Sequence, residues 1–208
     1  MQRTDFDGIL NIAGGEYEHL SIDGICNSSG ILKAQELDVD GVLNVDENLE
    51  VGKFDCDGLA NIKGDVRADT VDVDGYMNIG RKSSPSKLEA NEIFCRGMIT
   101  VLGAGEINAD SIDAEGFINA AEIVGEKVKI KSQQSILMKW LANKWSKVDT
   151  IEATNIDLSG VTAKVVNGHD IIIGENCVID KLDCNGRLVI HPSATIKEIT
   201  GDHVRITS

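Results

Sequence analysis

Apolar and polar residues alternate along this chain in short runs, and the runs recur at a nearly constant interval. Leu37-Asp38-Val39-Asp40-Gly41-Val42-Leu43-Asn44-Val45 is followed by Phe54-Asp55-Cys56-Asp57-Gly58-Leu59-Ala60-Asn61-Ile62, then by Val71-Asp72-Val73-Asp74-Gly75-Tyr76-Met77-Asn78-Ile79. Period-two alternation predicts strands with one side chain pointing in and the next pointing out. The third repeat holds three such runs, Leu37/Val39, Leu43/Val45 and Leu49/Val51. A unit that turns three times and stacks on its neighbours predicts an all-β chain folded as a three-sided parallel β-helix. Gly8, Gly24, Gly41, Gly58, Gly75, Gly97 and Gly116 mark the same corner, at intervals of 16, 17, 17, 17, 22 and 19 residues. The polar stretch Arg81-Lys82-Ser83-Ser84-Pro85-Ser86-Lys87 accounts for the longest interval as a loop. Glycine at the corner is expected to supply a backbone conformation that residues with a Cβ resist.

Reading each repeat against the next sorts the residues into columns. Phe6, Ile22, Val39, Cys56, Val73, Cys95 and Ala114 form one inward column, and Leu20, Leu37, Phe54, Val71, Ile93 and Ile112 form a second. Cys56, Cys95 and, further on, Cys184 read as small hydrophobes filling the first column. Asp5, Asp38, Asp55, Asp72 and Asp113 form an outward row, and Asp7, Asp23, Asp40, Asp57, Asp74 and Glu115 form another. These rows read as a solvated face, with a cation-binding ladder as the competing reading. Asn11, Asn27, Asn44, Asn61, Asn78 and Asn119 share a row in which stacked amides can hydrogen-bond along the axis. The residues just after each glycine, Ile9, Ile25, Val42, Leu59, Tyr76, Met98 and Phe117, either turn in at the corner or form an exposed apolar stripe.

The glycine rhythm stops after Gly116. Within residues 133–147, Ile136, Leu137, Trp140, Leu141 and Trp145 fall at helical spacing. From Lys127 to Lys147 there are six Lys and no Asp or Glu. The expectation is an inserted basic amphipathic helix near 133–147. It either packs on the side of the tube or docks a membrane surface or protein partner through Ile136, Leu137, Lys139, Trp140, Leu141, Lys144, Trp145 and Lys147. Alternation resumes with Ile156/Leu158, Ile171/Ile173, Leu182/Cys184 and Leu188/Ile190. Ile156-Asp157-Leu158-Ser159-Gly160 and Leu182-Asp183-Cys184-Asn185-Gly186 read as returns of the earlier corner. The chain is thus expected to be one continuous domain of roughly ten coils. Coils would occupy 1–131 and 149–208, with the helix at 132–148.

Composition narrows the function classes. Net charge is −14, from 20 Lys and Arg against 34 Asp and Glu, which disfavours a nucleic-acid partner. No apolar run is long enough to cross a bilayer. Acidic residues at the N-terminus argue against a signal peptide, and five Cys without CxxC spacing fit a reduced, cytoplasmic chain. The four His are scattered, and no GxSxG, P-loop or dinucleotide fingerprint occurs. Ile173-Gly174-Glu175-Asn176-Cys177-Val178-Ile179 and the segment around His191 echo the hexapeptide repeats of left-handed β-helix acyltransferases, but a six-residue phase is not sustained. His191 reads as a surface turn residue. No catalytic residue, metal ligand or cofactor is expected.

The Asp-Gly and Asn-Gly corners, the seventeen-residue coil, the small-aliphatic core and the acidic outer face together resemble the bactofilin family of bacterial cytoskeletal proteins. The helical insertion followed by Ala163-Lys164-Val165-Val166 and Ile171-Ile172-Ile173-Gly174 is similar to one subtype of that family. The resemblance implies a right-handed β-helix that assembles end to end into homopolymers without nucleotide. The sequence offers no capping helix at either end, so open end coils are expected to stack through Phe6, Ile9, Val204 and Ile206. A β-helix adaptor that docks a partner is the alternative.

Overall fold

A computed structural model describes residues 3–132 and 146–206. These residues form 20 parallel-paired β-strands wound into a β-solenoid of about 11 turns. At the usual spacing between paired strands the rod is about 50 Å tall. The N-terminal coils alternate a long strand with a short one. The long strands include β3 (Gly15–Ile22), β5 (Leu32–Val39), β7 (Leu49–Cys56) and β9 (Val66–Val73). The short ones include β2 (Ile9–Ile12), β4 (Ile25–Ser28), β6 (Val42–Val45), β8 (Leu59–Ile62) and β10 (Tyr76–Ile79). Each long strand serves two faces. In β5, Leu32 and Ala34 are buried, the next two residues are exposed, and Leu37 and Val39 are buried again. That break in phase is a corner, so each coil has the three inward-facing runs its sequence pattern requires.

The core is a stack of aliphatic layers. Leu37, Phe54 and Val71 follow one another in register, as do Val39, Cys56 and Val73 and, on the short strands, Leu43 and Ala60. All are essentially inaccessible to solvent. A methyl-sized change in one layer is therefore felt by the layers on both sides.

The glycine corner has a different cause from the one expected. Left-handed φ values occur at Gly14, Gly15, Gly80, Gly103, Gly160 and Gly201, and not at the repeating corner glycines. Those are required by close approach instead. The N–H groups of Asp40 and Gly41 both donate to the Ile22 carbonyl (3.1 and 2.8 Å), and Val42 N–H donates to the Gly24 carbonyl (2.8 Å). The same three bonds recur one coil later, from Asp57 and Gly58 to Val39 and from Leu59 to Gly41. A Cβ on Gly41 would lie 2.0 Å from the Gly24 carbonyl oxygen, and one on Gly58 would lie 2.1 Å from that of Gly41.

Two expectations are corrected in the C-terminal half. Among the described residues there is no helix. Residues 133–145 of the expected inserted helix, with Ile136, Leu137, Lys139, Trp140, Leu141, Lys144 and Trp145, lie outside the described residues. Its last two positions, Ser146 and Lys147, instead begin strand β15 (Ser146–Ser159). Lys147 pairs opposite Asn119 of β14 (Phe117–Lys131), and Ser146 opposite Val161 of β16 (Val161–Ile173). The helical reading failed there because tube register, not local amphipathicity, sets the backbone. Second, Leu182-Asp183-Cys184-Asn185-Gly186 is not a return of the Asp-Gly corner. Cys184 lies opposite Gly168, which lies opposite Ala153, on a different face. The column of Val39, Cys56, Cys95 and Ala114 continues through Ile130, Leu158, Ile173 and Ile190.

The corner geometry gives a sharp mutational contrast. Gly58→Ala forces backbone apart between two coils and is expected to destabilise the fold by about 1–3 kcal/mol. Gly8, in the first coil, has only open space within 4 Å of the point where a Cβ would stand, so Gly8→Ala is expected to be near neutral. Urea unfolding followed by circular dichroism separates the two; equal stability of both variants would contradict the close-approach account.

Candidate functional site

The outer surface consists of rows, because in-register stacking carries every outward position up the tube. The asparagine row is a hydrogen-bonded ladder. Asn27 donates to Asn11 (3.0 Å), Asn44 to Asn27 (2.9 Å), Asn61 to Asn44 (3.0 Å) and Asn78 to Asn61 (3.0 Å). Each side chain donates in the same sense, so the ladder zips neighbouring coils together.

The acidic rows are crossed by the protein's own cations. Arg96 grips Asp74 with two hydrogen bonds (2.5 and 2.9 Å) and reaches Asp72 at 3.6 Å. Lys129 holds Asp113 (2.8 Å), and Lys131 holds Asp157 (2.7 Å). Burial, then the carboxylates of Asp72 and Asp38 above and below, pushes the Asp55 carboxyl above its ordinary range. No group of three or more His, Cys, Asp or Glu among the described residues is placed to hold a metal ion.

The histidines sit apart in separate coils. His19 lies near Glu36 (3.2 Å), His169 near Asp170 (3.3 Å), and His203 near the Gly201 carbonyl (3.2 Å). His191, the residue that carried the acyltransferase echo, bonds Ser193 in its own turn (2.8 Å).

The post-glycine residues point outward. Ile9, Ile25, Val42 and Leu59 follow one another opposite their counterparts on successive strands, then Tyr76, Met98 and Phe117. Ile9 is 75% exposed, Ile25 41% and Tyr76 52%, whereas Phe117 is buried. The surface stripe is thus real, and it closes at Phe117. Beside Phe117 sits a pair that sequence reasoning missed. The buried hydroxyls of Ser132 and Ser146 bond each other (2.7 Å); Ser132 donates to the Gly116 carbonyl (3.1 Å), and Ser146 accepts from Ile118 N–H (3.0 Å). Their only sequence signal was that both lie within the acid-free basic stretch from Lys127 to Lys147.

At the ends of the rod the strands are paired on one side only. Among the described residues, the terminal strand β1 (Arg3–Phe6) pairs only with β3 and β2 only with β4; at the other end β19 (Thr195–Thr200) pairs only with β17 (Val178–Cys184) and β20 (Val204–Ile206) only with β18 (Arg187–Ile190). The four end-contact candidates fall differently. Phe6 occupies the inward column opposite Ile22 and packs on the core edge, with Leu10 and Ile12 beside it. Ile9 starts the outward apolar row. Val204 lies opposite Arg187 in an outward column and is 69% exposed, and Ile206 lies opposite Val189. Arg205, not an apolar residue, takes the column position opposite Leu188. Ile190, Ala194, Ile196 and Ile199 complete the apolar edge at that end.

No family model, no curated protein and no solved structure matches this chain.

All five cysteines are free and buried. Burial pushes the Cys56 and Cys95 thiols up to about 12. Both therefore stay protonated in the folded chain at pH values where the unfolded thiol, near 9, ionises. Each contributes stability that is complete below pH 9 and is lost as pH rises towards 12, at about 1.4 kcal/mol per pH unit. Native protein is expected to resist a thiol reagent at pH 8 and to release five reactive thiols on unfolding; rapid labelling of the native chain would contradict the buried columns.

Proposed function

We propose that this chain is a non-enzymatic scaffold, similar to bactofilins, that polymerises end to end through its terminal coils. The observation that carries the reading is the pair of open ends. Each presents strands whose outer N–H and C=O groups have no partner strand among the described residues, next to partly covered core side chains. A parallel strand with one free edge is a template for another strand, and repeat folds ordinarily shield such edges. At one end Phe6, Leu10 and Ile12 continue core columns to the edge, and at the other Ile190, Ile196 and Ile199 do so. A second copy stacked there extends the ladder and the core together, without nucleotide or metal. Support from the resemblance lies in the repeat as a whole: the corner, the coil length and the small-aliphatic core.

Electron microscopy and light scattering of the purified chain test this. Filaments one rod wide are expected, and Phe6→Arg is expected to reduce them to short species while the circular dichroism of the coils persists. A strict monomer at high concentration across a range of salt would overturn the reading.

A further inference from the structure

The outward apolar row is a lateral surface without a partner among the described residues, and it runs beside carboxylates that the protein leaves without salt bridges. We propose that this corner docks a basic amphipathic helix of another protein, laid along the rod axis between Ile9 and Met98. The surface is lateral, so its use is distinct from end-to-end assembly and does not depend on it.

In-register stacking sets Ile9, Ile25, Val42, Leu59, Tyr76 and Met98 one above another. Ile9, Ile25 and Tyr76 are exposed, and Val42, Leu59 and Met98 are half-buried. The buried Phe117 ends the strip on the next coil. At about 4.8 Å per coil the strip from Ile9 to Met98 is about 24 Å long. An α-helix rises about 1.5 Å per residue and about 5.4 Å per turn, so about 16 residues span the strip and set an apolar side chain over nearly every coil. Same-face side chains of an extended strand recur about every 6.7 Å and fall out of step with the coils. The repeat of the rod therefore favours a helix running along it.

Charge selects the sign of the partner. Asp7, Asp23, Asp40, Asp57 and Asp74 each stand two residues before a strip position, and all are exposed. Among the described residues only Asp74 has a protein cation within ion-pair distance, Arg96; Asp7, Asp23, Asp40 and Asp57 have none. Lys or Arg on one flank of the docked helix would pair with these four. The opposite edge of the strip is the asparagine ladder, which is neutral and satisfies its own amides. The surface thus calls for an apolar ridge, cations on one flank and uncharged polar residues on the other. A second acidic rod or an anionic lipid surface would bring like charge to the same carboxylates. Covering the strip is favourable by the apolar area removed from water.

A labelled synthetic helix of about 16 residues, with leucines on one face and lysines on one flank, is the probe, and fluorescence anisotropy with the full chain is the measurement. Saturable binding that weakens with salt is expected, and the same peptide with glutamate for each lysine should not bind. Leu59→Ser with Tyr76→Ser should weaken binding by about tenfold or more, with the circular dichroism of the strands unchanged. Asp23→Lys with Asp40→Lys should turn the preference towards the glutamate peptide. Glu126→Lys with Glu152→Lys, the same change of charge on a different face, should leave the lysine peptide bound within about twofold of wild type. The proposal is overturned by no binding to the wild-type chain, by equal binding of both peptides, or by an equal loss in the Glu126/Glu152 variant. It is overturned equally if the Leu59/Tyr76 substitutions, without peptide, dissolve a lateral dimer or release the chain from phosphatidylserine vesicles, since a second copy or a lipid surface would then be the occupant.

Discussion

Backbone approach at the corner governs this molecule. Three N–H groups from each Asp-Gly corner after the first bind carbonyls of the coil beneath, and the distance they impose leaves no room for a Cβ. A side chain there would break the bonds that hold successive coils at strand spacing. Once the corner is locked, register follows, because a slip of one residue would turn every aliphatic side chain outward. The small-aliphatic core is a consequence of the same constraint, since each layer must fit between two others at a fixed height.

In-register stacking has a cost as well as a benefit, and both are visible on the outer face. Identical residues land on one another. For asparagine this is favourable, since an amide both donates and accepts and a row of them forms a continuous ladder. For aspartate it is unfavourable: burial first, and then the carboxylates of Asp72 and Asp38, push the Asp55 carboxyl up. The chain limits the repulsion by interrupting the rows. Arg96 takes the corner position that Asp74 holds one coil earlier, and Lys129 follows Asp113. The acidic rows are thus kept from becoming like-charged strips along the whole rod.

Much of this was legible in the sequence, and the parts that were not have physical reasons. The inward columns through Ala114, the asparagine ladder and the looped-out stretch, which ends at 86 because Lys87 already pairs with Glu106, could be read directly, because period-two alternation and a fixed interval encode them. The reason for the corner glycine could not, since close approach and left-handed φ leave the same residue in the sequence. Cys184 was placed on the wrong face because Asp-x-Asn-Gly resembles the corner locally, while coils of 15 and 16 residues had already moved the phase; Ser146 stands opposite Val161 and Thr162 opposite Val178. The helix at 133–147 was inferred from spacing alone, and Ser146 and Lys147 show how tube register overrides such a pattern. At the rod ends Phe6 was found through its column, whereas Val204 and Arg205 exchange the in-out phase expected of an apolar strand.

A solenoid separates these tasks because each coil touches only its neighbours. The loop at 81–86 lengthens one coil, yet Tyr76 still faces Met98 and Val71 still faces Ile93. The stretch between Ser132 and Ser146 lengthens another, yet Asn119 still faces Lys147. Insertions at corners therefore change a lateral surface without disturbing the core columns or the edges at the rod ends.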